Sequence, residues 1–104
     1  MSVIMNFAIF PVDKGDHIGD YVSKVIAYIR DSGLTYQFSP MGTIIEADTV
    51  KELLAIVEKS YEIMDPISDR IYCVMNMDSN KNKSGLIKGK TASIERRIGE
   101  VNKG

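Results

Sequence analysis

The chain has 104 residues, 44% hydrophobic and 26% charged, and its 13 basic and 14 acidic side chains leave a net charge of −1. That length predicts one domain, residues 1–104, with a real core but small enough for self-association to help it. The charge balance gives no pull toward nucleic acid or an anionic membrane, no run reaches the roughly 18 apolar residues of a membrane span, and the lone Cys73 excludes an internal disulfide or a thiolate-rich metal site and suits a reducing, cytoplasmic compartment.

Val3 to Phe10 is apolar except for Asn6 and is stopped by Pro11, which reads as a largely buried strand. No basic flank precedes it and no small-residue cleavage site follows, so it is not expected to be a signal peptide. From His17 onward Ile18, Tyr21, Val22, Val25, Ile26 and Ile29 form a helical stripe, and Gly33 supplies the left-handed stop. His17 has no second ligand at metal spacing and is expected in helix-cap surroundings. Thr35–Phe38 and Thr43–Ala47 read as two short strands around a turn at Pro40 and Gly42. Thr49 with Glu52 three residues on opens a second helix as a capping box, its stripe is Val50, Leu53, Leu54, Val57, Tyr61 and Met64, and Asp65-Pro66 closes it. Arg70–Met77 alternates, with Ile71, Cys73, Met75 and Met77 on the core face. Asp78–Gly89 is polar and reads as a loop; Thr91–Val101, with Ile94, Ile98 and Val101, reads as a short terminal helix.

The order strand, helix, strand, strand, helix, strand predicts an α+β fold, the ferredoxin-like βαββαβ sandwich: a four-stranded antiparallel sheet, two helices on one face, and a short C-terminal helix. The other face would carry Asn6, Ala8 and Phe10 from the first strand and Tyr72, Val74 and Asn76 from the last. That surface is too apolar for bare solvent and too polar for a dry core, and it suits a second copy or a ligand.

Several strings carry a family resemblance: Asp20-Tyr21-Val22, Ser32-Gly33-Leu34-Thr35-Tyr36, Pro40-Met41-Gly42-Thr43-Ile44-Ile45-Glu46, Arg70-Ile71, and Lys90-Thr91-Ala92-Ser93-Ile94-Glu95. Through them the chain resembles the small thiamine-binding proteins of the ferredoxin-like YkoF-like superfamily, over nearly its whole length. Pro-Met-Gly-Thr-x-x-Glu is the most specific piece. Ala47 follows the glutamate where that family tends to have glycine, and Asp78-Ser79-Asn80 stands where it commonly has Asp-x-Arg. The resemblance implies a non-enzymatic protein that binds thiamine or its hydroxymethylpyrimidine moiety and assembles as dimers or tetramers through its sheets.

Such a ligand asks for a flat apolar wall, donors and acceptors for an aminopyrimidine edge, and a carboxylate near the thiazolium cation. Glu46, a charge ending the apolar pair Ile44 and Ile45, is costly unless it is at an edge, paired, or facing a ligand. It is either the ligand's carboxylate or a solvated strand end, and Thr43 either a ligand hydroxyl or a turn residue. Asn6 and Asn76 are expected to approach each other on the uncovered face, to read a ligand edge or to hydrogen-bond across a subunit interface. Tyr36, Phe38 and Tyr72 are candidate stacking walls or plain strand packing. Lys81, Lys83, Lys88 and Lys90 are a solvated loop or an attractor for a phosphate ester.

Other activities of the fold fit less well. Phosphate chemistry would want an arginine in the loop after the first strand, where Pro11–Asp16 has none and two acids. A metallochaperone would want two cysteines there, and RNA stacking would want aromatics on the Thr43–Ala47 strand. No catalytic residue, metal ligand or cofactor is expected.

Overall fold

The computed structural model describes residues 1–16 and 18–103, so the expectation for His17 lies outside the described residues. Along the chain come β1 (Ser2–Pro11), α1 (Gly19–Asp31), β2 (Thr35–Ser39), β3 (Gly42–Ala47), α2 (Val50–Met64), a 3-10 turn (Asp65–Ile67), β4 (Ile71–Asn80) and α3 (Leu86–Ile98). The strands form one antiparallel sheet in the order β2-β3-β1-β4, which is the ferredoxin-like arrangement.

Local chemistry sets most boundaries. α1 ends where Gly33 takes φ +84°, a conformation without steric cost only for glycine. The Thr49 hydroxyl accepts from the Glu52 amide at 3.2 Å and donates to the Glu52 carboxylate at 3.0 Å, so α2 starts on its capping pair. Alternation divides β1 into Val3, Met5, Phe7 and Ile9 on the helix side and Ile4, Asn6, Ala8 and Phe10 on the other. The first set packs with Val25 and Ile29 of α1, Leu53, Ile56 and Met64 of α2, and Ile45 of β3. Each fully buried side chain of this kind contributes about 1.5–3 kcal/mol relative to exposure.

Four expectations are corrected. α2 buries Leu53, Ile56, Val57, Ser60 and Met64, while Val50, Leu54 and Tyr61 are exposed; the buried stripe takes in Ile56, and Ser60 is tolerated within it because its hydroxyl donates to the Ile56 carbonyl at 2.7 Å. Met75, on the edge strand, remains 45% exposed. The expected loop at Asp78–Gly89 is shorter, since Asp78, Ser79 and Asn80 continue β4 against Ile4, Val3 and Ser2 and α3 begins at Leu86 and ends at Ile98. Finally, α3 is not merely appended: it lies on the face opposite α1 and α2, at the end of the sheet where β1 begins, and leaves the other end of that face open.

Candidate functional site

The turn between β2 and β3 is the hinge of the local geometry. Pro40 and Met41 form its tip, and the Ser39 hydroxyl closes it by donating to the Gly42 carbonyl at 2.6 Å. β3 then alternates. Thr43, Ile45 and Ala47 face the helices, opposite Phe7, Met5 and Val3, whereas Gly42, Ile44 and Glu46 face the other way.

Under this turn, between the start of α1 and the last half of β1, lies a cleft of about 300 Å³. Its walls are Phe7, Ile9, Val22, Ile26 and Phe38, its rim includes Ile18 and Met41, and Thr43 forms part of its inner surface. Thr43 is 2% exposed and Met41 89% exposed, so the cleft runs from a buried threonine to a projecting methionine. Among the described residues no acidic or basic side chain lines it. Ala8 and Phe10 carry its margin around to the open face of the sheet. The loop that follows β1 is held by Asp13, whose carboxylate accepts from the Ser68 hydroxyl at 2.6 Å and the Asp69 amide at 2.8 Å. Those two bonds hold the Asp13 carboxyl below its ordinary pKa, the Ser68 bond most.

Glu46 occupies a different environment. Its carboxylate accepts from the Leu86 amide at 2.6 Å, from the Ile87 amide at 3.0 Å, and from the Ser2 hydroxyl. Leu86 and Ile87 are the first residues of α3, which starts from Gly85 and has no capping side chain of its own. Glu46 is therefore the cap, supplied across the sheet, and it also meets the positive end of the helix dipole. Burial alone would raise its pKa, but the bonds from Ser2, Ile87, Leu86 and Gly85 together hold it below the ordinary value.

The structure thus sorts the five residues singled out by sequence. Thr43 is in the cleft; Glu46 is on the opposite face, under α3. Asn6 and Asn76 are directly opposed across β1 and β4 on the open face. The Asn6 amide also lies over Gly42, where a Cβ would come within 2.6 Å of its oxygen. Tyr36 is half-buried on the helix face against the core and lines no part of the cleft. Beside the asparagines, the Phe10 and Tyr72 rings meet in a tilted contact with centroids 5.5 Å apart, Tyr72 is 53% exposed and Val74 44%. The Lys81–Lys90 segment lies at the α3 end of the sheet, where Lys90 pairs with Asp78 at 2.8 Å. Sequence reasoning missed the cleft walls on α1 and the place of Met41 on the rim. The signal was there in the parity of β3, which puts Thr43 and Glu46 on opposite faces whenever the strand is regular.

No titratable groups among the described residues cluster as a metal site, and no described helix is long and apolar enough to cross a membrane. A family profile described as thiamine-binding protein matches residues 5–95. A UPF0045 protein of Mycobacterium bovis is 33% identical over 96 residues, covering 92% of this chain and 94% of the relative. Among solved structures, a hypothetical protein of Methanocaldococcus jannascii superposes with a TM-score of 0.79 at 26% identity, over 89% of this chain and 95% of the other. A candidate thiamine biosynthesis or salvage protein of Thermotoga maritima has the same fold, with a TM-score of 0.77 at 14% identity over 89% and 99% of the two chains.

Proposed function

The chain belongs to the thiamine-binding protein family, and from that premise we propose that it is a non-enzymatic, cytoplasmic single-domain protein that binds thiamine or its hydroxymethylpyrimidine moiety in the cleft beside Thr43. One observation carries the reading: the Pro40-Met41-Gly42-Thr43 turn, the most family-specific string in the chain, lines an apolar cleft, from the exposed Met41 at its rim to the buried Thr43. The volume is at the lower end of small-molecule sites, and such sites combine apolar walls with a few orienting polar groups. The aminopyrimidine ring stacks along Phe7 and Phe38 in this proposal, and Thr43 donates to a ring nitrogen or accepts from the exocyclic amine. The name of the Thermotoga maritima neighbour points to the same chemistry. The family's description as binding proteins supports binding rather than catalysis, and the cleft lining among the described residues is in keeping with it, pairing no nucleophile with a base.

The proposal gives the other sequence-selected residues supporting roles. Glu46 orders α3, Tyr36 packs β2 so that Phe38 is positioned, and Asn6 and Asn76 belong to a self-association surface with Phe10, Tyr72 and Val74 on the open face. Because Ala8 and Phe10 border both surfaces, a copy docked there would place the ligand near the subunit boundary.

Isothermal titration with thiamine and hydroxymethylpyrimidine tests the ligand, with sedimentation velocity of wild type and Val74→Asp to test association. Saturable heat that weakens in Thr43→Val supports the cleft. No heat from either ligand, with an oligomer that Val74→Asp dissociates, would replace this reading by that of a structural homo-oligomer without a small-molecule ligand.

A further inference from the structure

We infer that the cleft selects unphosphorylated ligands, taking the hydroxymethylpyrimidine alcohol and thiamine over their phosphate esters, and that Met41 sets this limit. The inference rests on the ligand reading above and adds a substrate class to it. A phosphate monoester carries nearly two negative charges at neutral pH. Taking such a group out of water requires cations or convergent backbone amides. Among the described residues the cleft offers neither a charged wall nor an uncommitted second hydroxyl, because the Ser39 hydroxyl is engaged by Gly42.

The surroundings of the mouth add to this. Helix starts attract anions, but the first turn of α1 carries Asp20, and its Tyr21 and Val22 amides already donate to the Ile18 carbonyl at 3.0 and 2.9 Å. Arg30 lines a groove that shares Val22, Ile26 and Phe38 with the cleft, but its guanidinium is paired with Asp31 at 3.0 Å. Neither the α1 start nor this paired arginine offers an ester phosphate an uncommitted cation. The lysines that would welcome a phosphate are at the wrong end of the molecule. Asn80, which precedes them, pairs with Ser2, while the cleft borders Phe10; eight residues of strand separate those points, about 26 Å.

Met41 is the residue at the boundary. It lines the cleft yet is 89% exposed, an apolar side chain held in water beside an apolar opening. Three rotatable bonds let it fold over a bound ring. An ester phosphate leaving the mouth would meet this thioether, and a lysine at the same position would meet it with a charge.

The test is isothermal titration of wild type and Met41→Lys with four probes: hydroxymethylpyrimidine, its monophosphate, thiamine and thiamine monophosphate. In wild type the two monophosphates should bind at least about tenfold more weakly than the two alcohols. In Met41→Lys that gap should shrink by about tenfold, through tighter ester binding. Esters that bind wild type as tightly as the alcohols would overturn the selectivity. An unchanged gap in Met41→Lys, with an unchanged unfolding midpoint, would overturn the assignment to Met41. Absence of binding by all four probes would instead sink the ligand reading on which the inference stands.

Discussion

Thr43 and Glu46 belong to the same short strand, yet their surroundings differ in every physical respect. Thr43 faces the helices at the turn end, in a cleft with no charged lining among the described residues. Glu46 faces the opposite side at the far end of β3, its carboxylate held by two helix amides and a hydroxyl. One end of the sheet keeps space open and the other closes it with α3. The difference teaches that a carboxylate on an apolar strand is not in itself a ligand contact: a helix lacking its own cap satisfies it as well as a cation would.

The comparison is most sharply tested at Glu46. Glu46→Ala removes the acceptor of two α3 amides and of Ser2, and hydrogen bonds to a charged group are worth about 1.5–3 kcal/mol. We expect a loss of about 2 kcal/mol in urea unfolding, with amide exchange accelerated across Leu86–Ile98, and thiamine affinity held within about twofold. A large loss of affinity with α3 still protected would show that the carboxylate does contact ligand. Acid provides the same test without mutation. The folded Glu46 carboxyl lies below its ordinary value of 4.5, so its contribution is complete above that pH and is lost as pH falls through the folded value. α3 protection, measured against the intrinsic exchange rate at each pH, should therefore fall in acid, and this fall should be absent from Glu46→Gln. Equal acid sensitivity in that variant would assign the effect to other carboxylates.

Thr43→Val comes next in size. It keeps the shape of the buried side chain and removes one hydroxyl, so about 1 kcal/mol of binding, roughly fivefold in affinity, should disappear. The α3 amides should exchange as in wild type. Undiminished thiamine binding in a folded Thr43→Val would move the ligand away from this wall.

How far these sites are legible in the sequence follows from the range of the interactions. β1, α1 and the start of α2 are written locally, in the alternation around Asn6, the Ile18–Ile29 stripe and the Thr49–Glu52 pair, and the βαββαβ order follows from them. The last strand and helix are not. Asp78–Asn80 looks like a loop because its side chains are polar, but its backbone has the β1 residues Ser2–Ile4 to pair with. The start of α3 at Leu86 is fixed by Glu46, a cap 40 residues away in sequence, so no local pattern announces it. The cleft was half legible for the same reason: the Pro-Met-Gly-Thr string marks the turn at its rim, but only the packing of α1 against that turn makes a cleft.

The smallest effect belongs to Gly42, where the two faces of the sheet meet in adjacent residues. Thr43 turns inward to the cleft, while Gly42 faces outward beneath Asn6, leaving room for an amide that any Cβ would crowd at 2.6 Å. Gly42→Ala forces the Asn6 side chain to turn, at a cost of about 0.5–1 kcal/mol for a displaced rotamer. Its cross-strand partner Asn76 then loses a neighbour on the open face. The expected signature is a shifted Asn6 side-chain amide resonance and weaker self-association in sedimentation velocity, with thiamine binding unchanged. An unmoved Asn6 resonance would mean that the turn itself yields, and in that case Thr43 should move with it and thiamine affinity should fall.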